Sequence, residues 1–161
     1  MYSLNKNISK NMASWNDKLL NAAKAGDIKS VEKCVVNGGE VNCKNEYRRT
    51  ALHYAAERGH TDTAARLVSL GAEINSSAYD GYTPLHSAAV WGQTETVAKL
   101  ISLGAKTDQK DARGLTPLHQ AATEGKADTA AMLISLGVEA DIKDQDVSIC
   151  IIIVLCFNID Q

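Results

Sequence analysis

The sequence has little proline, little aromatic surface and no strong charge of either sign. Two prolines in 161 residues exclude a proline-rich linker or recognition segment. Aromatics make up 5% of the chain and phenylalanine occurs once, so the core allowed by a hydrophobic content of 45% has to be built from alanine and leucine. That suits short helices whose backbones approach closely. A formal charge of −2 and a pI near 6.1 give no electrostatic reason to bind the phosphate backbone of a nucleic acid. The four cysteines, Cys34, Cys43, Cys150 and Cys156, include no C-x-x-C pair and so point to no metal site. Reduced thiols in a cytoplasmic or nuclear protein are expected instead. Residues 1–13 hold no apolar run of signal-peptide length. The apolar run at 147–157 would span only about 16 Å as a helix, too short for a bilayer core of roughly 30 Å.

What is abundant is repetition. Thr50-Ala51-Leu52-His53, Thr83-Pro84-Leu85-His86 and Thr116-Pro117-Leu118-His119 follow one another at 86 − 53 = 33 and 119 − 86 = 33 residues. Gly59, Gly92 and Gly125 keep the same interval, as do Gly71, Gly104 and Gly137. Within one copy, Thr83 can cap a helix that Pro84 begins, with Leu85, Ala88 and Ala89 on one face and Gly92 at its end. A second helix from about Thr94 carries Val97, Leu100 and Ile101 and stops at Gly104, a position suited to positive φ. Each helix is well below the roughly 12 to 15 residues at which isolated helices become marginal, so the copies must stack.

A 33-residue period bearing Thr-Pro-Leu-His resembles the ankyrin repeat family. The resemblance covers residues 16–144 and implies an all-α solenoid of stacked helix-turn-helix units with β-hairpin loops. The units are expected at about 14–44, 45–78, 79–110 and 111–144, preceded by a disordered segment over 1–13 and followed by a hydrophobic tail over 145–161. The first unit keeps the phase, 59 − 26 = 33, but carries Asp17, Lys18 and Asn21 and reads as a polar capping repeat. Cys34 falls where later units have Leu67, Leu100 and Leu133, and so reads as core. In the second unit Arg48 replaces the glycine seen at Gly81 and Gly114. Forced into a left-handed turn it should be strained by roughly 1 kcal/mol, which predicts that its hairpin is the least regular. Asn42 and Asn75 are equivalent, and the resemblance implies that such asparagines can be hydroxylated.

His53, His86 and His119 are one full repeat apart, with no recurring acidic or cysteine ligand beside them. The resemblance implies that each histidine, with its threonine, ties adjacent units by hydrogen bonds. No phosphate loop, H-E-x-x-H or nucleophile elbow occurs, so no catalysis and no cofactor are expected.

Comparing the copies with one another separates core from surface. Glu57-Arg58, Val90-Trp91 and Thr123-Glu124 are equivalent pairs whose chemistry scatters, which marks solvent-facing positions. The hairpin tips scatter too: Tyr47 and Arg49, then Tyr79, Asp80 and Tyr82, then Arg113 and Leu115. Four of the chain's eight aromatics, Tyr47, Tyr79, Tyr82 and Trp91, fall on such positions, and tyrosine and tryptophan dominate interface hot spots. The expected function is a monomeric, non-catalytic adaptor, scaffold or inhibitor that binds another protein through hairpin tips and a concave face. The alternative is the N-terminal ankyrin part of a larger enzyme, channel or membrane-associated protein. Residues 149–157 have no polar side on either structural period, and the chain from Val147 onward reads either as a divergent cap or as read-through past an exon end.

Overall fold

In a computed structural model, residues 2–138 are described, with side chains from residue 14; the hydrophobic tail over 145–161 lies outside the described residues. Among the described residues eight helices follow one another: α1 (Tyr2–Ala25), α2 (Ile28–Val36), α3 (Ala51–Glu57), α4 (Thr61–Ser69), α5 (Pro84–Val90), α6 (Thr94–Ser102), α7 (Pro117–Thr123) and α8 (Ala127–Ser135). The odd-numbered helices stack into an inner layer and the even-numbered ones into an outer layer, each pair packed also on itself. Helix α1 begins at Tyr2, ahead of the first unit and through the segment that the sequence reading takes as disordered. Nothing between Tyr2 and Ser14 is proline or glycine, so no breaker stops a helix nucleated on the packed residues downstream from extending.

Burial explains why helices of seven and nine residues hold. Six of the seven residues of α5 are buried. The alanine pairs Ala55-Ala56, Ala88-Ala89 and Ala121-Ala122 lie at the contacts of the inner layer, and Leu52, Leu85, Leu118, Leu67, Leu100 and Leu133 are sealed beside them. A fully buried leucine contributes about 2 kcal/mol, so packing supplies what short-helix propensity lacks. Helix α3 starts at Ala51 and has the length of α5 and α7, so the missing proline of the second unit changes nothing in the element. Cys34 is buried, as its alignment with the leucines predicts.

The loops between units are hairpin-shaped fingers, each one turn long. Asn45, Ala78 and Asp111 donate their N–H to the carbonyls of Arg49, Tyr82 and Leu115 respectively at 2.9–3.1 Å. Successive fingers are joined by a single backbone bond, Tyr79 N–H to Tyr47 O (3.1 Å) and Ala112 N–H to Asp80 O (3.0 Å). With so few rungs, no strand forms among the described residues. Arg48 has φ of 59° and is the only non-glycine at positive φ among the described residues, in register with Gly81 (80°) and Gly114 (81°). The expected irregularity is absent, because Arg48 N–H still reaches Asn45 O at 2.9 Å. Asn45 Oδ1 also accepts from the N–H groups of Tyr47 (3.0 Å) and Arg49 (2.9 Å), and this second set of bonds holds the turn shape.

Polar side chains tie the units along the stack. The backbone N–H of Thr50 donates to His53 Nδ1 at 3.1 Å, so the ring carries its proton on Nε2, which donates to Tyr82 O at 2.9 Å in the next finger. His86 repeats this with Thr83 and Leu115 O, at 3.2 and 3.0 Å. His119 accepts from Thr116 N–H in the same way at 3.2 Å. In the outer layer, the hydroxyls of Thr61 and Thr96 meet at 2.8 Å and those of Thr94 and Thr129 at 2.7 Å. Asn42 Oδ1 accepts from Glu73 N–H (2.8 Å) and Asn75 Oδ1 from Lys106 N–H (2.9 Å), so both asparagines link one unit to the next.

Candidate functional site

The exposed large aromatics stand at two places in the unit: at the finger tips, which lead into the N-termini of the inner helices, and at the C-terminal end of an inner helix. Tyr47 and Tyr79 stand at finger tips with 61% and 70% of their surface open, and Trp91, the C-cap of α5, keeps 58%. Arg58, Thr123, Glu124, Asp80 and Arg113 are exposed as well, and Val90 and Leu115 are half-buried. Tyr82 differs from its three aromatic companions. Its ring stacks on His86 with centroids 5.6 Å apart and planes inclined by 19°, and its hydroxyl accepts from Arg113 at 3.0 Å. It covers the histidine tie.

Scatter among copies overstated exposure at two further positions. Arg49 and Glu57 form an ion pair at 2.7 Å with side chains only 22% and 12% exposed. A charge can occupy a covered position in one copy when its partner is supplied by the same unit. Arg49 also reaches the next unit, its Nη2 donating to Ser87 Oγ at 3.4 Å. Arg58, by contrast, stands 3.7 Å from Glu57 Oε1 and remains mostly open.

Several residues that shape this surface escaped the sequence reading. Tyr54 presents its ring to Lys24 Nζ at 4.8 Å and to the Arg49 guanidinium at 5.4 Å, while its hydroxyl accepts from Asn45 Nδ2 at 2.8 Å. In the fourth unit Gln120 Nε2 donates to Asp111 Oδ2 at 2.6 Å. These two clamps are equivalent, 54 − 45 = 9 and 120 − 111 = 9, and the third unit places Ala78 and Ser87 there instead. The signal existed: Tyr54, Ser87 and Gln120 scatter between copies while staying polar. Arg48 likewise lies over the Tyr79 ring at 5.7 Å, bridging two fingers.

Electrostatics separate structural from surface groups. Burial pushes the His53 imidazole down to about 4, against the Tyr82 carbonyl bond that favours its charged form, and burial lowers His86 as well. Both rings are neutral at physiological pH and serve as ties. Burial alone would raise Asp111, but the N–H groups of Leu115 and Arg113, with Gln120, hold its carboxyl below the usual range. Burial raises the Cys34 thiol and takes Cys43 up to about 11, so neither forms the reactive thiolate at neutral pH. Among the described residues no three His, Cys, Asp or Glu side chains converge to hold a metal, and no helix is long and apolar enough to cross a membrane.

Known proteins agree with this architecture. A family model described as "Ankyrin repeats (3 copies)" matches residues 19–111, and one described as "Ankyrin repeat" matches 113–146. Protein VAPYRIN-LIKE of Medicago truncatula is 43% identical over 42 residues, 26% of this chain and 9% of that protein. The putative ankyrin repeat protein RF_p14 of Rickettsia felis is 44% identical over 41 residues, 26% of this chain and 65% of that protein. The matched segment thus spans less than two thirds of either relative's own length. Repeat phase, histidine ties and family match converge, and the chain belongs to the ankyrin repeat family.

Proposed function

We propose that this chain is a non-catalytic protein-binding module that takes another protein along its inner-helix face and finger tips. Ankyrin repeats generally mediate protein–protein interactions, and they are typically non-catalytic. The finer assignment rests on one observation. Tyr47 and Tyr79 at the finger tips and Trp91 at the end of an inner helix are large aromatics held mostly open, while Tyr54 and Tyr82 are spent on internal contacts. Aromatic anchors ringed by charge fit the composition of interface hot spots. The module acts as a monomer in the cytoplasm or nucleus, without nucleic acid, and serves as adaptor, scaffold or inhibitor. A second reading makes it the ankyrin part of a larger enzyme, channel or membrane-associated protein. It draws on the Medicago relative, of whose length the match covers 9%.

The test is Trp91→Ala. A photo-crosslinker at residue 79 should capture a partner from extract of the source cells, and the variant should weaken that complex by about 2 kcal/mol or more, roughly thirtyfold. Its unfolding temperature should stay near the wild-type value, because the indole is mostly open. An equal loss of thermal stability would show that the ring is packing, and the reading would fall.

A further inference from the structure

The fingers and the C-terminal ends of the inner helices in the first three units carry a charge opposite to that of the chain. The whole sequence has a formal charge of −2. Yet at these positions five basic side chains, Lys24, Lys44, Arg48, Arg49 and Arg58, stand against three acidic ones, Glu46, Glu57 and Asp80. Two of those three carboxylates are already engaged. Glu57 holds Arg49 at 2.7 Å, and Asp80 Oδ1 accepts the N–H of Tyr82 at 3.0 Å.

The cations are less engaged. Among the described residues, Lys24, Lys44 and Arg48 have no carboxylate within ion-pair distance. Lys24 and Arg48 rest on the faces of Tyr54 and Tyr79 instead, which fixes them in place without neutralising them. Arg58 has Glu57 at 3.7 Å, beyond hydrogen-bond range, and keeps 55% of its side chain open. Trp91 occupies the position equivalent to Arg58 on the next inner helix, 91 − 58 = 33. A cation and an open indole therefore sit one repeat apart along the stack.

From this charge complementarity, and resting on the protein-binding reading above, we infer that the first three units bind an extended acidic segment of the partner protein. Aspartates or glutamates of that segment lie against Lys24 and Arg58, and an adjacent aromatic or branched apolar side chain lies on Trp91. The geometry favours a peptide over an anionic polymer. The cations are interleaved with Tyr47, Tyr79 and Trp91, and Glu46 and Asp80 interrupt them at the finger tips, so the positive surface is short.

Fluorescence anisotropy of the full chain tests the inference with three labelled probes: a short glutamate-rich peptide containing one tryptophan, the same peptide with lysine for glutamate, and a single-stranded RNA of equal length. The acidic peptide should bind, more weakly as salt rises. Arg58→Glu and Lys24→Glu should each weaken it about tenfold, the scale of one partly desolvated charge contact. Lys99→Glu, an exposed reversal on α6, should leave it unchanged. Circular dichroism verifies that each variant is folded, and two independent reversals keep the test open should one unfold. Equal binding of the lysine peptide or of the RNA, no binding of the acidic peptide, or indifference to both reversals overturns the inference. If in addition a cross-linked partner is still lost with Trp91→Ala yet ignores Arg58→Glu, the binding face stands and only its acidic specificity falls.

Discussion

Acid should unfold this protein through its buried histidines before its carboxylates titrate. The His53 ring accepts one backbone N–H at Nδ1 and donates from Nε2 to Tyr82 O. A second ring proton would set Nδ1–H against the Thr50 N–H, leaving only the Thr50 hydroxyl oxygen at 2.8 Å to accept it, and would put a charge on a fully buried ring. The neutral form is held by burial, which takes the group down to about 4 from an ordinary value of 6.5. Between those two pH values the unfolded chain binds a proton that the folded chain refuses, so stability is fully present above pH 6.5 and falls as pH drops toward 4. That gap corresponds to about 3 kcal/mol for His53 alone. His86, lowered by the same cause, deepens the loss. The carboxyl of Asp111 is held below 3.8, so its contribution persists above that pH and is lost only as pH falls through the lower folded value, outside the histidine window. Urea unfolding at steps from pH 7.5 to 4.5 reads the effect directly. His53→Ala should be less stable than wild type at pH 7.5, with a distinctly shallower decline below 6.5. If both proteins decline in parallel between pH 6.5 and 4.5, the histidine tie is not the acid-sensitive element and the reasoning fails.

Other perturbations follow from the fingers. Arg48→Gly removes a strained left-handed residue and should raise stability in urea by up to about 1 kcal/mol, set against loss of the Tyr79 contact and a freer unfolded chain; a clear destabilisation would contradict the strain. Gly81→Ala should cost at least about 1 kcal/mol more than Gly114→Ala in thermal unfolding. Both sit at similar positive φ, but a Cβ at Gly81 would stand 2.6 Å from the Ala112 nitrogen while one at Gly114 meets nothing within 4 Å. Asp111→Ala strands the N–H groups of Arg113 and Leu115 and the buried Gln120 amide, for a loss of about 2 kcal/mol. Adding Gln120→Ser, which reproduces the small pair of the third unit, should return part of it, and strict additivity of the two losses would rule the clamp out.

The parts legible in the sequence are those that the repeat itself writes. Helix starts at Thr83 and Thr116, ends at Gly92 and Gly104, and the core place of Cys34 recur in phase, and each follows from a local rule that distant contacts do not override. The function class came the same way, through the family resemblance. What the copies could not show is how one unit's departure is absorbed by its neighbour. Scatter at Glu57 and Arg49 looked like solvent exposure because pairing between two variable positions leaves no trace in a position-by-position comparison. Tyr82 was grouped with the open aromatics because its stacking on His86 depends on the next layer of structure. The regularity of the Arg48 finger rests on Asn45, whose carboxamide oxygen accepts from Tyr47 and Arg49 just as the Asp111 carboxylate accepts from Arg113 and Leu115 in the fourth unit.

These departures concentrate at the junction of the second and third units, and together they say how the candidate surface is held. The third unit lacks the clamp that Asn45 and Tyr54 make in the second and Asp111 and Gln120 make in the fourth. In its place Arg49 crosses from the second unit to Ser87, and Arg48 lies over Tyr79. The guanidinium of Arg49 is held at the same time by Glu57 and by the Tyr54 ring. Cross-unit contacts thus fasten the finger carrying Tyr79 to the unit that carries Tyr47, while Trp91 extends from a helix with six buried residues. A surface so braced loses little freedom when a partner docks, and ordering each immobilised side chain otherwise costs about 0.5–1.5 kcal/mol. The same residues that spoil the repeat's regularity between Arg48 and Trp91 are therefore the ones that present its open aromatics rigidly.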